Sequence, residues 1–366
     1  MLRFHPLRIA QVQMQAEDAV ALALDVPAEL AGEYRAVPGQ HIVVRAAPGG
    51  EELRRTYSLV SAPAERQLRI VARVHADGRL SSHLAREVKV GDALDVLPPN
   101  GSFIAHSGSA GRGTCVAFAA GCGITPIVSI ARGWLEAGPT GRVVLFYGNR
   151  SMARAMCLEE LLALKDRHLE RLALHFVMSR EPQELEIYNG RLDGERVRQL
   201  ARAFLAPHEV AESFVCGPGD MIETVTRALV DVGVPPDRIR AEHFTVATAA
   251  AAAPVTSSPA PMEARGASPQ ESGLAEVTVI MDGRRRSFTM PMNGESVLDG
   301  AAKAGLELPF SCRAGVCSTC RTKVVRGEVA MNQNYALEDW ELEQGYVLAC
   351  QSKVKTPVLE LDYDER

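Results

Sequence analysis

Four cysteines near the carboxyl end, Cys312, Cys317, Cys320 and Cys350, are spaced C-x4-C-x2-C-x29-C, and this spacing constrains the chain more than any other feature. Four thiolates so arranged suit a [2Fe-2S] cluster: three close sulfurs wrap one loop around it, and a distant fourth closes the cage from another part of the fold. Between them lie Arg313-Ala314-Gly315-Val316 and Ser318-Thr319, mostly small enough for backbone N–H groups to approach an anionic cluster. Zinc is the competing reading. Zinc ribbons usually present two C-x2-C knuckles, whereas this loop has one knuckle and a third thiol five residues earlier, so the iron–sulfur reading is preferred. Eight cysteines in 366 residues are too sparse for a disulfide scaffold.

The length exceeds what one hydrophobic core usually organises, so two or three domains are expected. From Leu7 to about His106, short apolar stretches such as Ile42-Val43-Val44 and Leu68 to Val71 alternate with turns such as Pro38-Gly39, Pro48-Gly49-Gly50 and Asp77-Gly78. That rhythm fits a small antiparallel barrel. From Gly113 to about Phe244 it changes to buried strand, loop and amphipathic helix. Strands are expected over Thr114 to Ala119, Val143 to Tyr147, Leu172 to Met178 and Phe214 to Cys216, and helices over Ile127 to Leu135, Leu158 to Leu164 and Met221 to Val232. Such alternation builds a doubly wound parallel α/β sheet. Thr248 to Gly273 holds Ala249 to Ala253, four prolines and several serines, a composition that reads as a flexible linker. Beyond it, a strand pair around Asp282-Gly283 precedes a helix near Val297 to Ala304. The expected domains are therefore 1–107, 108–247 and 274–366, joined across 248–273.

A net charge of -5 gives no nucleic-acid footprint. Every apolar run is interrupted well short of the ~20 residues of a membrane span. The opening Met1 to Ala10 has no export signal. A cytoplasmic protein without a membrane or nucleic-acid partner is expected.

The segment Pro309 to Cys320 resembles the plant-type ferredoxins, and the likeness extends over the final domain, implying an α+β (β-grasp) fold. An isolated ferredoxin would not need the folded chain ahead of it, so the front half should supply electrons. There, Arg55-Thr56-Tyr57-Ser58 offers a ring that can stack on an isoalloxazine, with Arg and Ser for phosphate and polar flavin atoms. By itself that tetrapeptide reads by default as an ordinary barrel strand with a surface arginine. Its order with Pro38-Gly39-Gln40 upstream and Gly78-Arg79-Leu80-Ser81 downstream resembles the ferredoxin-NADP reductase family. That resemblance implies FAD, with Arg55, Tyr57 and Ser58 lining it, Val71 to Val74 beside it, and Gly78, Leu80, Ser81 and Ser82 holding its phosphates at a helix start.

Gly121-Cys122-Gly123-Ile124-Thr125-Pro126 follows a buried strand, with Thr125 as expected N-cap and Pro126 at the first helical position, a loop that can seat a pyrophosphate. A plain strand-to-helix turn is the alternative. By the same resemblance Cys216-Gly217-Pro218 lies near the nicotinamide with Cys216 close to hydride transfer, and Glu242 and Phe244 fall where an acidic or aromatic group stands beside the flavin. A small buried residue at Cys216 and a domain-edge strand at Glu242 are the plainer readings. Tyr57, Ser58, Cys216 and Glu242 are thus the candidate catalytic residues. Asn149-Arg150 and Ser179-Arg180 close two other strands, where the arginines could bind a 2'-phosphate, favouring NADPH over NADH.

Nicotinamides give two electrons as hydride and a [2Fe-2S] cluster takes one, so flavin is the required intermediary. Nearly the whole chain resembles the reductase components of multicomponent phenylacetyl-CoA epoxidases, on Pro38-Gly39-Gln40-His41, Glu51 to Arg55, Tyr147 to Arg150, Gly190 to Glu195 and Met331 to Glu338. The likeness implies a di-iron oxygenase as partner; only the linker, longer and richer in Ala and Pro, departs from it. The acidic stretch Glu338 to Glu343 could dock a basic surface or simply face solvent. A reductase for a Rieske-type ring or steroid hydroxylase, and a non-catalytic redox-sensing module, are the rival readings.

Overall fold

The computed structural model describes residues 3–61, 65, 67–106, 108–244 and 273–365. They fall into two compact units, one within Arg3–Ala247 and one within Thr248–Arg366. The linker read over Thr248 to Gly273 lies, apart from Gly273, outside the described residues.

The first unit opens with β1 (His5–Ala16), β2 (Ala19–Asp25), β3 (His41–Ala46), β4 (Leu53–Ser58), β5 (Gln67–Arg73) and β6 (Ala93–Val96). They form one antiparallel sheet in the order β4-β3-β6-β1-β2-β5. A bridge between Leu59 and Ile70, with Val60 N–H donating to Arg69 O at 2.9 Å, joins its two edges into a barrel. The sequence of β2, Ala-Val-Ala-Leu-Ala-Leu, shows why the barrel sits where it does. Period-two alternation sends Val20, Leu22 and Leu24 into the barrel core and turns Ala19 and Ala21 outward, into the core of the neighbouring α/β layer. Each fully buried leucine contributes roughly 1.5–3 kcal/mol, while the small outward alanines let the next domain approach. Helix α1 (Arg79–Arg86) follows β5, with Gly78 at its N-cap.

The rest of this unit runs β7 (Thr114–Ala120), α2 (Ile124–Glu136), β8 (Arg142–Asn149), α3 (Leu158–Arg167), β9 (Leu172–Met178), α4 (Gly194–Phe204), β10 (Val210–Gly217), α5 (Gly219–Asp231) and β11 (Ile239–His243). All five strands are parallel, in the order β11-β10-β7-β8-β9. The chain order reverses between β7 and β10, which is the switch point of a doubly wound sheet. Alternation again sorts the faces. Cys115, Ala117 and Ala119 of β7 meet α2 and α3, while Val116 and Phe118 meet α4 and α5. Helix α4 is an addition to the elements read from the sequence. Asp193 caps it, accepting from Arg196 N–H at 2.9 Å, and Val197, Leu200 and Ala201 supply a buried stripe among many charged residues.

The second unit contains β12 (Leu274–Met281), β13 (Arg284–Pro291), α6 (Val297–Lys303), β14 (Arg321–Arg326), β15 (Val329–Met331), α7 (Asp339–Glu343), β16 (Tyr346–Leu348), β17 (Ser352–Val354) and β18 (Val358–Asp362). Its main sheet has the order β13-β12-β18-β14-β16, with β12 and β18 parallel and the other neighbours antiparallel, and α6 packs on it in a β-grasp. The expected turn forms with both Asp282 (φ 55°) and Gly283 (φ 66°) left-handed, the geometry that matches hairpin twist. Among the described residues, no helix is long and apolar enough to cross a membrane.

Candidate functional site

The cysteine loop lies between α6 and β14, and Cys350 follows β16, whose pairing with β14 brings the distant fourth thiol back to the loop. All four are free thiols; Cys317, Cys320 and Cys350 are buried and Cys312 is half-buried. The sulfurs share hydrogen bonds. Contacts from Cys317 and then Cys350 pull the Cys312 thiol far below its usual range, while contacts with Cys312 and then Cys320 push Cys350 up. Backbone donors point the same way: Ala314 N–H donates to Cys312 Sγ at 3.3 Å. Arg313 (φ 56°), Gly315 (φ 74°) and Ser318 (φ 48°) are all left-handed, which curls the loop's N–H groups inward as an anion nest. Four clustered sulfurs with inward donors fit a [2Fe-2S] cluster, which takes four cysteines.

In the first unit, alternation along β4 puts Arg55 and Tyr57 on one face, with Ser58 buried at the strand end opposite His41. Burial raises the Tyr57 phenol above its usual range. Val71 is buried on β5, but the strand ends at Arg73, so Val74 lies just beyond it, donating to Asp18 O at 2.7 Å. Gly78 does start a helix. The Ser81 hydroxyl is occupied there, donating to Gly78 O at 3.0 Å and accepting from His75 N at 3.4 Å, and Leu80 fills the barrel core. What remains for a phosphate is the free backbone N–H groups of the first turn, with Ser82 half-buried beside them.

The turn after β7 differs from expectation. Gly121–Gly123 forms a 3-10 turn that runs directly into α2 at Ile124, so Gly123 is the N-cap and Pro126 lies inside the first turn. Thr125 does not cap; its hydroxyl donates to Cys122 O at 3.0 Å. The cause is a long-range contact. A Cβ on Gly123 would lie 2.1 Å from Cys216 O, so only glycine lets the turn rest on β10 at the switch point. Cys216 is fully buried with its thiol pushed up by desolvation, Gly217 ends β10, and Pro218 caps α5. At the other strand ends, Ser179 N–H donates to Asn149 O and Arg180 N–H to Arg150 O, each at 2.9 Å, so the two exposed arginines stand side by side.

Glu242 pairs in register with Cys216, and Phe244 packs against the same core. His41, given no role of its own in the sequence motif Pro38-Gly39-Gln40-His41, faces Glu242 across the junction of barrel and sheet, with Nδ1 3.9 Å from Oε1 and both residues buried. Gly39 pins that junction, its N–H donating to Ser129 Oγ of α2 at 3.0 Å. The one sequence signal for His41 is its place directly after Pro38-Gly39-Gln40. Burial raises the Glu242 carboxyl and His41 partly offsets this. An unfolded glutamate ionises near ~4.3, so the folded chain retains a proton above that pH and stability falls as pH rises through the interval up to the folded value. Glu242→Gln should therefore raise the melting temperature more at pH 8 than at pH 4. Melts of both proteins check this; a gap independent of pH contradicts it.

The acidic stretch is only partly a surface. Glu341 is buried with Arg321 Nε at 2.9 Å, and Glu338 accepts from Trp340 Nε1 at 2.8 Å, leaving Asp339 and Glu343 exposed.

A barrel, a doubly wound sheet with its switch point, and a four-thiol loop together define a nicotinamide-dependent flavin and iron–sulfur oxidoreductase. Family models agree: the oxidoreductase FAD-binding domain matches 6–104, the oxidoreductase NAD-binding domain 118–227, and the 2Fe-2S iron-sulfur cluster binding domain 279–355. The chain is 35% identical to a subunit of the 1,2-phenylacetyl-CoA epoxidase of Escherichia coli (strain K12), over 100% of this chain and 99% of that protein. It is 31% identical to the ferredoxin reductase component of 3-ketosteroid-9-alpha-monooxygenase of Rhodococcus rhodochrous, over 98% of this chain and 96% of that one. Among solved structures, phthalate dioxygenase reductase shares the fold at TM-score 0.56 and 24% identity, covering 98% of each chain. The chain belongs to the family of oxygenase reductase components that join FAD-binding, NAD-binding and [2Fe-2S] domains, and it is an electron-transfer reductase.

Proposed function

We propose that this reductase takes hydride from NADPH and passes single electrons to the di-iron oxygenase of a phenylacetyl-CoA epoxidase in the cytoplasm. The full-length similarity to the Escherichia coli epoxidase protein carries the reading, since it spans all three domains and exceeds the similarity to the ketosteroid relative. A reductase for a Rieske-type steroid or ring hydroxylase is the second reading, favoured by the 31% identity to the ketosteroid reductase. The domains are taken as 1–107 for flavin, 108–247 for nucleotide and 274–366 for the cluster, with 248–273 linking them.

Bound FAD supplies the conversion of one hydride into two single electrons. The chain's own residues bind and orient. Tyr57 offers its ring face to the isoalloxazine, Arg55 pairs with phosphate, and Ser58 meets polar ring atoms. The free first-turn N–H groups of Arg79, Leu80 and Ser81, beside Gly78 and Ser82, hold the flavin phosphates, and the turn Gly121–Gly123 seats the nucleotide pyrophosphate. Cys216 and Glu242, adjacent in register at the switch point, flank the site of hydride transfer, with Gly217, Pro218 and Phe244 shaping its walls. Water is excluded there, since Cys216 and Glu242 are buried. Cys312, Cys317, Cys320 and Cys350 ligate the cluster.

Arg150 and Arg180 select NADPH through its 2'-phosphate. Losing such a charge-assisted contact should raise the Michaelis constant for NADPH about tenfold in Arg180→Ala, with little change for NADH. Steady-state kinetics with both nucleotides check this, and equal effects on the two would refute it. The partner is tested by reconstitution with purified phenylacetyl-CoA epoxidase oxygenase and, separately, a Rieske steroid hydroxylase. Phenylacetyl-CoA-dependent NADPH oxidation only with the former supports the reading; coupling only with the latter overturns it.

A further inference from the structure

Directly after the fourth cysteine stands Gln351, a long polar side chain that is 7% exposed inside the second unit. A buried amide with two N–H donors needs two acceptors: the cysteine loop supplies one and the fourth cysteine the other. Nε2 donates to Arg313 O at 2.9 Å and to Cys350 Sγ at 3.5 Å. The loop makes room for it. A Cβ on Gly315 would fall 3.2 Å from Gln351 Cγ and 3.1 Å from Gln333 O, so the side chain reaches the sulfur over a glycine. The backbone of Gln351 is fixed as well, its N–H donating to Leu348 O at 2.9 Å and its carbonyl accepting from Asn332 N–H at 3.0 Å.

We infer that Gln351 is a positioning residue that raises the reduction potential of the cluster, by donating to the Cys350 thiolate while locking the cysteine loop through the Arg313 carbonyl. The inference rests on the four-thiolate cluster site above. Reduction adds one electron, taken from the flavin, and so one negative charge to the cluster and its thiolates. A donor on a ligating sulfur stabilises the more negative form, and hydrogen bonds to the sulfurs are a recognised determinant of such potentials. Burial strengthens the effect because no water competes for the sulfur. The amide is neutral, so it favours reduction without adding a titrating group to the loop.

The test uses the full-length holoprotein. In Gln351→Leu, a dye-mediated redox titration read by EPR should show the reduced-to-oxidised ratio of the cluster falling about tenfold at a fixed potential, a shift of about 59 mV for one electron. The flavin midpoints and the iron and sulfide content should be unchanged. A variant that keeps its iron and sulfide with an unshifted midpoint overturns the inference. If Leu prevents cluster loading, the unmutated protein decides: with glutamine labelled by 15N at the side-chain amide, pulsed EPR of the reduced cluster should resolve a 15N coupling, and its absence overturns the inference. Protein that holds no iron or sulfide in either form would instead overturn the cluster site itself, which separates the two failures.

Discussion

Cys317→Ser is expected to remove the reduced-cluster EPR signal and to cut electron delivery to the oxygenase by about a thousandfold or more, roughly 4 kcal/mol in the rate of that step. A [2Fe-2S] cluster takes four cysteines, and Cys317 is a buried member of the three-thiol loop, so its replacement opens the cage rather than loosening a rim. Ferricyanide reduction should persist at near-parental rate, because that acceptor draws on flavin directly. The pair of assays places the cluster after the flavin; loss of both activities would put it before. The variant should also melt at lower temperature. Arg313 and Ser318 hold left-handed conformations that a side chain rarely adopts, a strain that binding of the cluster would offset.

Gly123→Ala should have the second largest effect, at the other end of the electron path. Its Cβ would stand 2.1 Å from Cys216 O, 2.5 Å from Cys216 C and 2.9 Å from Gly217 N, all backbone atoms that cannot rotate away. Relief requires the Gly121–Gly123 turn to move off β10, at a cost near the upper end of overpacking, about 3 kcal/mol. A misplacement of that size should slow nicotinamide-driven flavin reduction about a hundredfold in stopped flow, with flavin content and dithionite reduction unchanged. Gly121→Ala is the control. Its Cβ meets nothing within 4 Å, so only the φ of 55° opposes it, at about 1 kcal/mol, and flavin reduction should fall far less. Equal effects would contradict the assigned role of the Gly123–Cys216 contact.

What could be seen in the sequence was local. The cysteine spacing marked the cluster loop because three ligands fall within nine residues, and short apolar stretches between turns, then buried strands alternating with amphipathic helices, marked a barrel and a sheet. What could not be seen depends on contacts distant in the chain. Thr125 has the composition of an N-cap, yet the start of α2 is set by Gly123 resting on Cys216, ninety-odd positions away. Ser81 looks like a phosphate ligand and instead ties its own turn to His75 and Gly78. The stripe of α4 was present but diluted by its arginines, and nothing local announces that His41 meets Glu242 or that Gln351 reaches Cys350. The acidic stretch ending in Glu343 misleads for the same reason, since the partner that buries Glu341 is Arg321 of another strand.

Anaerobic reduction of the full-length holoprotein with NADPH, followed together by visible absorbance and EPR, tests the electron path most directly. The flavin should bleach and a one-electron [2Fe-2S] signal should appear in the same titration, in protein containing two irons and two sulfides per chain. Bleaching with no such signal, or protein that contains zinc in place of iron and sulfide, would contradict that path.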